Sequence, residues 1–449
     1  MRVAIIGAGI SGLALAYYLQ KMGIAYDLFE AGDQVGGCLR TLRTRGYLLE
    51  LGPGTLEMSE ELLQLITELK LESEVLVPAP LSHKRYVLHN GTYKRLPTNR
   101  RSFLSGDLFS WKSRYRILQE RQIPPAHIEH ETIGQFIERR FGREVLDYAV
   151  APFISGMYGG DPNQLLVSKA FPKLKELEAT YGSVLEGLVQ RKQKGAFGKT
   201  FSFKKGMDTL PVAIANKLIS VHLEHKVEFI SRSQGKFIIS CASNGDHDTE
   251  EYDKLVLALP AHQAAELLHF TYPGMAAALQ NINYSPMAVV HSVYNRAEVG
   301  HNLKGFGTLH PKREKTFTTS SIWTSSLFEG RCRPDEVVLT SFVGEAHCAD
   351  LLHSDQQQLL QQVHQELCAT YHIKAQAPSF QHLHLWQDAM PQYDLYIEDA
   401  HQLASPLEEE GLFISANWQS GLSVPDCIRH AKKIAGKINS GAPSRSIAE

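Results

Sequence analysis

Gly7, Gly9 and Gly12 stand at Gly-x-Gly-x-x-Gly spacing, and Glu30 follows about 20 residues later. Glycines so placed permit a tight turn, a close approach of backbone to a pyrophosphate and a close packing of helix on strand. The acid is placed to accept hydrogen bonds from a ribose 2′-hydroxyl, which favours FAD or NAD over a 2′-phosphorylated cofactor. Such residues work only if a strand delivers the turn and a helix leaves it. Residues 3–6, four apolar residues without alternation, read as a buried strand, and the Ala/Leu-rich residues 13–22 continue as a helix. The start of that helix, at Ile10, Ser11 and Gly12, presents free N–H groups and a positive dipole end to phosphates. Residues 26–29 read as the second strand, with Glu30 at its end.

Gly36, Gly37 and Arg40 come next, and Gly52-Pro53 shortly after. Paired glycines remove side chains where backbone lies against a ligand, and Arg40 can make charge-assisted bonds to phosphate oxygens. These additions resemble the FAD-binding half of the amine-oxidase-like flavoproteins, and FAD is the expected cofactor.

The remaining composition suits a large enzyme. At 449 residues the chain exceeds what one core organises, and 43% hydrophobic residues can fill several. A net charge of −2 argues against nucleic acid as a partner. The six cysteines show no Cys-x-x-Cys pattern and are expected to be reduced thiols. His382 and His384 alternate on a strand, but no partner set follows them; they read as structural, and no metal site is expected. With a strand starting at residue 3 and no apolar run of membrane-spanning length, a cytoplasmic protein is expected, with peripheral membrane contact open.

The fold expected is α/β. A Rossmann-type, glutathione-reductase-like FAD domain is assembled from residues 1–80, 201–268 and 396–440, and Val227 could give backbone contacts to an adenine. Residues 83–200 read as a helical, basic insertion, either a solvated helix face or a surface for anionic substrate groups or lipid. Residues 269–395 read as a mixed-sheet substrate domain, and 441–449 as a disordered tail.

Several runs narrow the resemblance: APFISGMYGGDP at 151–162, AFPKL at 170–174, YGSV at 181–184, GFG at 305–307, WQDAMPQY at 386–393 and VPDCI at 424–428. They look like the motifs of the FAD-dependent, oxygen-using porphyrinogen oxidases, a family that includes protoporphyrinogen IX and coproporphyrinogen III oxidases. The resemblance runs through nearly the whole chain in order. It implies oxidation of a porphyrinogen to the porphyrin in haem biosynthesis, most simply protoporphyrinogen IX to protoporphyrin IX. Six electrons leave in three flavin cycles, with molecular oxygen or another acceptor restoring the flavin. Flavin N5 carries the chemistry, so no catalytic side chain is assigned.

The resemblance also places Trp386, Asn417, Gly421, Ser423, Val424 and Pro425 against the flavin and its ribityl chain. FAD is expected to be held non-covalently, although Cys427 lies nearby. Arg101 matches a propionate-binding position, with Arg100 as the alternative anchor; either can instead be a solvent-facing member of the basic cluster. Gly159 and Gly160 could let backbone approach the macrocycle or form a structural turn, and Phe328 reads as cavity lining or core. Ala416 and Glu345 depart from glycines usual in the family. The other readings are coproporphyrinogen III as substrate, a different flavin oxidase or desaturase of this fold, and a non-catalytic protein that binds FAD and porphyrin. Haem-pathway enzymes are conceivable partners.

Overall fold

The computed structural model describes residues 1–98, 100–193, 199–243, 246–344 and 355–441, without the side chains of 100, 101, 104, 191–193 and 246. The tail expected to be disordered lies, beyond residue 441, outside the described residues.

A five-stranded parallel sheet carries the glycine turn. Its order is Val221–His222, Ala25–Phe29, Arg2–Ile6, Lys254–Leu257 and Leu412–Ile414. Ile6 stands level with Phe29 on one side and Leu257 on the other, and Leu257 with Ile414. All three central strands are almost wholly buried, as expected of a parallel sheet covered on both faces. Helices Ile10–Lys21 and Val424–Ser440 pack side by side on one face, so the beginning and the far end of the chain share one core. The last helix starts with Ser423, whose hydroxyl accepts from the Asp426 N–H at 3.2 Å, and with Pro425 in its first turn.

The second sheet is antiparallel apart from one pairing and has seven strands. In order they are Phe380–Pro391, Tyr284–Asn295, Glu336–Gly344, Ser320–Ile322, Gly307–Leu309, Arg85–His89 and Thr92–Arg95. The last two differ from expectation, since residues 85–95 were expected in the helical insertion. They form a hairpin whose first strand runs parallel to Gly307–Leu309. Asn90 and Gly91 make its turn with φ of +52° and +73°, the left-handed pair that a two-residue hairpin loop requires.

Helices Ile133–Phe141, Ala151–Tyr158, Pro172–Tyr181 and Val184–Gln193 make up most of the following stretch. Its basic character is partly internal. Arg140 is fully buried and pairs with Glu120 and Glu178, while Arg139 bonds Glu131 at 2.9 Å. These arginines tie helices together and offer no surface to an anion; a buried cation stays charged only when carboxylates meet it.

Candidate cofactor groove

The strand Arg2–Ile6 ends in Gly7, held at φ +103°. A Cβ there would lie 2.6 Å from the Ala258 carbonyl oxygen, and one on Gly12 would lie 2.0 Å from that of Gly7. Those two glycines are packing requirements. Gly9 is different: a Cβ there would meet nothing within 4 Å among the described residues, so its missing side chain leaves space against bare backbone. Gly9 caps the helix Ile10–Lys21 with no side-chain bond, and no acid stands in the first turn. The N–H groups of Ile10, Ser11 and Gly12 therefore face a position suited to a phosphate.

Glu30 closes the adjacent side. Its carboxylate accepts the Ala8 and Gly32 N–H groups, each at 2.9 Å, and keeps lone pairs for ribose hydroxyls. His225 donates its backbone N–H to the Glu30 carbonyl at 2.9 Å, which brings the strand Lys226–Ser233 and its buried Val227 alongside.

The groove continues along the second glycine pair. Gly36 donates to the Ala8 carbonyl at 2.9 Å, and a Cβ on Gly37 would lie 3.3 Å from the Gly9 Cα. Cys38 is exposed, yet enclosing protein pushes its thiol up to about 11. A residue that is both accessible and surrounded lines a cleft, not an outer face. Leu51 donates to the Arg40 carbonyl at 3.0 Å, and a Cβ on Gly52 would sit 2.0 Å from the Cys38 carbonyl oxygen. Pro53 follows in the same loop.

Trp386 and the C-terminal turn complete the walls. The Trp386 indole donates to the Leu51 carbonyl at 2.7 Å, and His384 packs edge-on to it with ring centres 4.4 Å apart. Burial lowers the pKa of His384, and the nearby charges of His382 and Arg40 lower it further, so the ring is neutral at pH 7. Asn417 begins a short helix whose first carbonyl accepts the Tyr393 hydroxyl. Gly421 ends it at φ +109°, and Ser420 donates to the Cys427 sulfur at 3.5 Å. Ala416 is buried at the start of that helix in extended conformation, so its methyl is accommodated there.

Four buried polar atoms in these walls find no partner among the described residues: Arg40 Nε, His384 Nε2, Ser415 Oγ and Gln419 Oε1. Buried polar atoms are normally satisfied, so this group fits a polar ligand. The bare Gly9, the phosphate-facing helix start and Glu30 fit its dinucleotide half.

Residues 10–439 match the family described as flavin containing amine oxidoreductase. The chain belongs to this family. As a flavin amine oxidoreductase it is an FAD-dependent oxidoreductase, and the groove is where its FAD is expected to lie. It is 29% identical to protoporphyrinogen oxidase 2 of Arabidopsis thaliana, over 97% of this chain and 93% of that one. It is 26% identical to the coproporphyrinogen III oxidase of Bacillus subtilis, over 96% of each. The fold is shared with a protoporphyrinogen oxidase-like crystal structure from Exiguobacterium sp. 255-15, with TM-score 0.81 at 22% identity, covering 98% of this chain and 99% of that one. Putrescine oxidase shares it with TM-score 0.73 at 18% identity, over 98% and 99%.

The expected substrate residues are not all gathered by the flavin amine oxidoreductase fold. Gly159 ends the helix Ala151–Tyr158 at φ +59°, where a Cβ would lie 3.2 Å from Met287 Cε. A Cβ on Gly160 would be 2.0 Å from the Gln392 side-chain oxygen. Both glycines let the helix end press on the mixed sheet, which is reason enough for them. Phe328 is buried beneath the Arg331 guanidinium, 5.5 Å from its ring centre. Arg100 and Arg101 begin the helix Arg100–Ser105, but their side chains lie outside the described residues.

Sequence reasoning missed Glu50 and Arg331. Arg331 is 1% exposed; it bonds Glu50 at 3.0 Å and the Ser202 hydroxyl at 2.8 Å. Glu50 also accepts the Thr41 hydroxyl at 2.7 Å, and His291 meets the Glu50 carbonyl at 3.1 Å. Thr41, His291 and Arg331, from three separate segments, thus hold the residue just before the Leu51-Gly52-Pro53 wall. The only signal was Glu50 itself, an acid beside a glycine turn.

Proposed function

We propose that this chain oxidises a porphyrinogen to the porphyrin in haem biosynthesis, with protoporphyrinogen IX giving protoporphyrin IX as the first reading. The observation that carries it is similarity along almost the full length to proteins named for that oxidation, from 26% to 30% identical. Coproporphyrinogen III is the second reading, favoured by the relatives of that name from Bacillus subtilis and Staphylococcus aureus.

When bound, FAD supplies the acceptor for each two-electron step. The protein binds and orients. Gly9 and the following N–H groups take the pyrophosphate, Glu30 the ribose, and Arg40 a phosphate oxygen. Trp386 fixes the Leu51–Gly52 wall while the mixed sheet and the helix Ala151–Tyr158 form the substrate side. No side chain is assigned a proton-transfer role, in keeping with a reaction driven by aromatisation of the macrocycle. Residues 1–80, 201–268 and 396–440 serve as the cofactor unit in this reading.

Peripheral membrane contact has one supporting surface. On the helix Trp111–Leu118, Trp111, Tyr115 and Leu118 are 79%, 58% and 51% exposed. They recur at helical spacing beside the exposed Lys112 and Arg116, a pattern suited to an anionic bilayer surface. No helix of the described residues is long and apolar enough to cross a membrane.

The test is aerobic turnover of FAD-loaded protein on both porphyrinogens in parallel, following porphyrin fluorescence and hydrogen peroxide. Turnover of one in preference supports the reading and selects the substrate. Absence of fluorescence with both, while the flavin remains reducible by dithionite, overturns it in favour of another flavin oxidase.

A further inference from the structure

The face of the mixed sheet turned away from the helix Ala151–Tyr158 carries a buried polar cluster that the proposed reaction does not use. Successive side chains of a strand point to opposite faces. Leu309 and Ser320 lie under Gly156 of that helix, so their neighbours Thr308 and Ser321 point the other way. Thr308 is paired with Ser321, and Ser321 with Ser341, and all three are buried. The helix Gln356–Tyr371 covers them, and the hydroxyl of Tyr371, its last residue, meets that of Thr308 at 2.7 Å.

Three aromatic rings adjoin at this cluster. Trp323 and Tyr371, both fully buried, have ring centres 6.0 Å apart, and Tyr371 stacks with Tyr93 at 6.1 Å. Indole and phenol are among the side chains that give up one electron most readily, and neighbouring rings pass an electron vacancy along. Trp323 is tied to the cofactor groove through the sheet. The next residue, Thr324, meets the Thr340 hydroxyl at 2.7 Å, Thr340 meets His291 at 3.0 Å, and His291 meets the Glu50 carbonyl beside the Leu51–Gly52 wall.

A phenol that has lost an electron becomes strongly acidic, so a vacancy settles on a tyrosine where a base stands at its hydroxyl. The Tyr93 hydroxyl lies 2.9 Å from His310 Nε2. His310 Nδ1 faces the Thr318 carbonyl at 3.0 Å, which only accepts; Nδ1 therefore carries the ring proton and Nε2 a bare lone pair. Burial lowers the pKa of His310 and raises those of Tyr93 and Tyr371, so at rest the imidazole is neutral and both phenols keep their protons. Glu366, 3.9 Å from His310 Nδ1, is placed to stabilise an imidazolium once it forms. The Trp323 indole N–H has no hydrogen-bond partner among the described residues, so no base holds a vacancy there.

We propose that Trp323, Tyr371 and Tyr93 form a one-electron relay that draws oxidising equivalents out of the cofactor groove, with His310 as the proton acceptor at its end. The oxidant is a one-electron acceptor generated in the groove, such as a photoexcited flavin. It takes one electron from Trp323, Tyr371 refills Trp323, and Tyr93 refills Tyr371. The Tyr93 phenolic proton moves to His310 Nε2, leaving a neutral phenoxyl radical, an imidazolium and an oxidant reduced by one electron. The relay requires bound FAD and is independent of which substrate the flavin oxidises.

The test illuminates the full-length, FAD-loaded protein with blue light in the presence of ferricyanide, which removes the electron from the flavin, and examines frozen samples by electron paramagnetic resonance. Flavin content and circular dichroism are recorded for every variant. Expected is a neutral tyrosyl radical in the wild type, retained in Tyr115→Phe on the exposed helix and lost in Tyr93→Phe, Trp323→Phe and His310→Gln. Tyr93→Phe removes a single hydroxyl and decides the matter even where the variants at the buried Trp323 and His310 fail to fold. Absence of a tyrosyl signal in the wild type, or an undiminished signal in Tyr93→Phe, overturns the relay. An undiminished signal in folded Trp323→Phe or His310→Gln overturns its entry point or its proton acceptor respectively.

Discussion

Trp386 donates its indole N–H to the Leu51 carbonyl across 2.7 Å and 335 residues, joining the mixed sheet to the loop beside Gly36 and Gly37. Replacement by phenylalanine keeps the ring but removes the donor, leaving a carbonyl to seek water. One neutral hydrogen bond is worth about 1 kcal/mol, so Trp386→Phe should weaken FAD retention about fivefold. Equilibrium dialysis of flavin checks it; unchanged affinity would mean that the wall is held without the indole.

Gly9 and Gly12 separate binding from folding. Gly9→Val places its side chain in open space, so the apoprotein should fold with near-native circular dichroism and retain no flavin. Gly12→Val forces a clash with backbone at 2.0 Å and should give little folded protein. Stoichiometric flavin in purified Gly9→Val would sink the assignment of this turn to the pyrophosphate.

Arg331→Met strips the cation from a buried carboxylate. Burial raises the Glu50 pKa and the guanidinium of Arg331 opposes that rise, so the carboxylate depends on the arginine to remain charged. Loss of one partner should cost about 3–5 kcal/mol, and Glu50→Gln in the same chain should restore part of it. Chemical denaturation of the four proteins in the cycle measures the coupling; additive losses would contradict it.

His291 makes stability sensitive to acid. Burial, and then the neighbouring His382, lower its pKa from 6.5 to about 3, so the folded ring is neutral. Its contribution is complete above the unfolded value and is lost as pH falls from there toward 3, because only the unfolded chain takes up the proton. The slope approaches about 1.4 kcal/mol per pH unit. His291→Gln should flatten the decline in apoprotein stability between pH 6 and pH 4, by up to that slope. An identical pH profile in variant and wild type would show that other histidines carry the effect.

Trp111→Ala/Tyr115→Ala should reduce sedimentation with vesicles rich in anionic lipid while leaving turnover in solution unchanged. Equal sedimentation of variant and wild type would remove this helix from any membrane contact.

The first turn was legible because its determinants are local: Gly7, Gly9, Gly12 and the strand and helix around them lie within 20 residues. The hairpin at residues 85–95 was also marked, by Asn90-Gly91, but the surrounding lysines and arginines drew attention to charge instead of alternation. Arg140 and Arg331 were not legible as buried residues. Their partners Glu120, Glu178 and Glu50 lie 20, 38 and 281 positions away, and no local pattern distinguishes an arginine that meets such a partner from one that meets water. Phe328 illustrates the converse. Its type left cavity lining and core both open, and its buried position under Arg331 follows from that same distant pairing.

The parallel sheet has a consequence for biosynthesis. Its strands leave the ribosome in the order 2–6, 25–29, 221–222, 254–257 and 412–414, and helix Val424–Ser440 must follow before the groove has its last wall. Most pairings span more than a hundred residues, so the glycine turn at 7–12 stays without its far neighbours until residues 254–257 and 412–414 have been made. Flavin capture is therefore expected only after residues 412–440 have been made, and nascent chains stalled before residue 412 should emerge colourless.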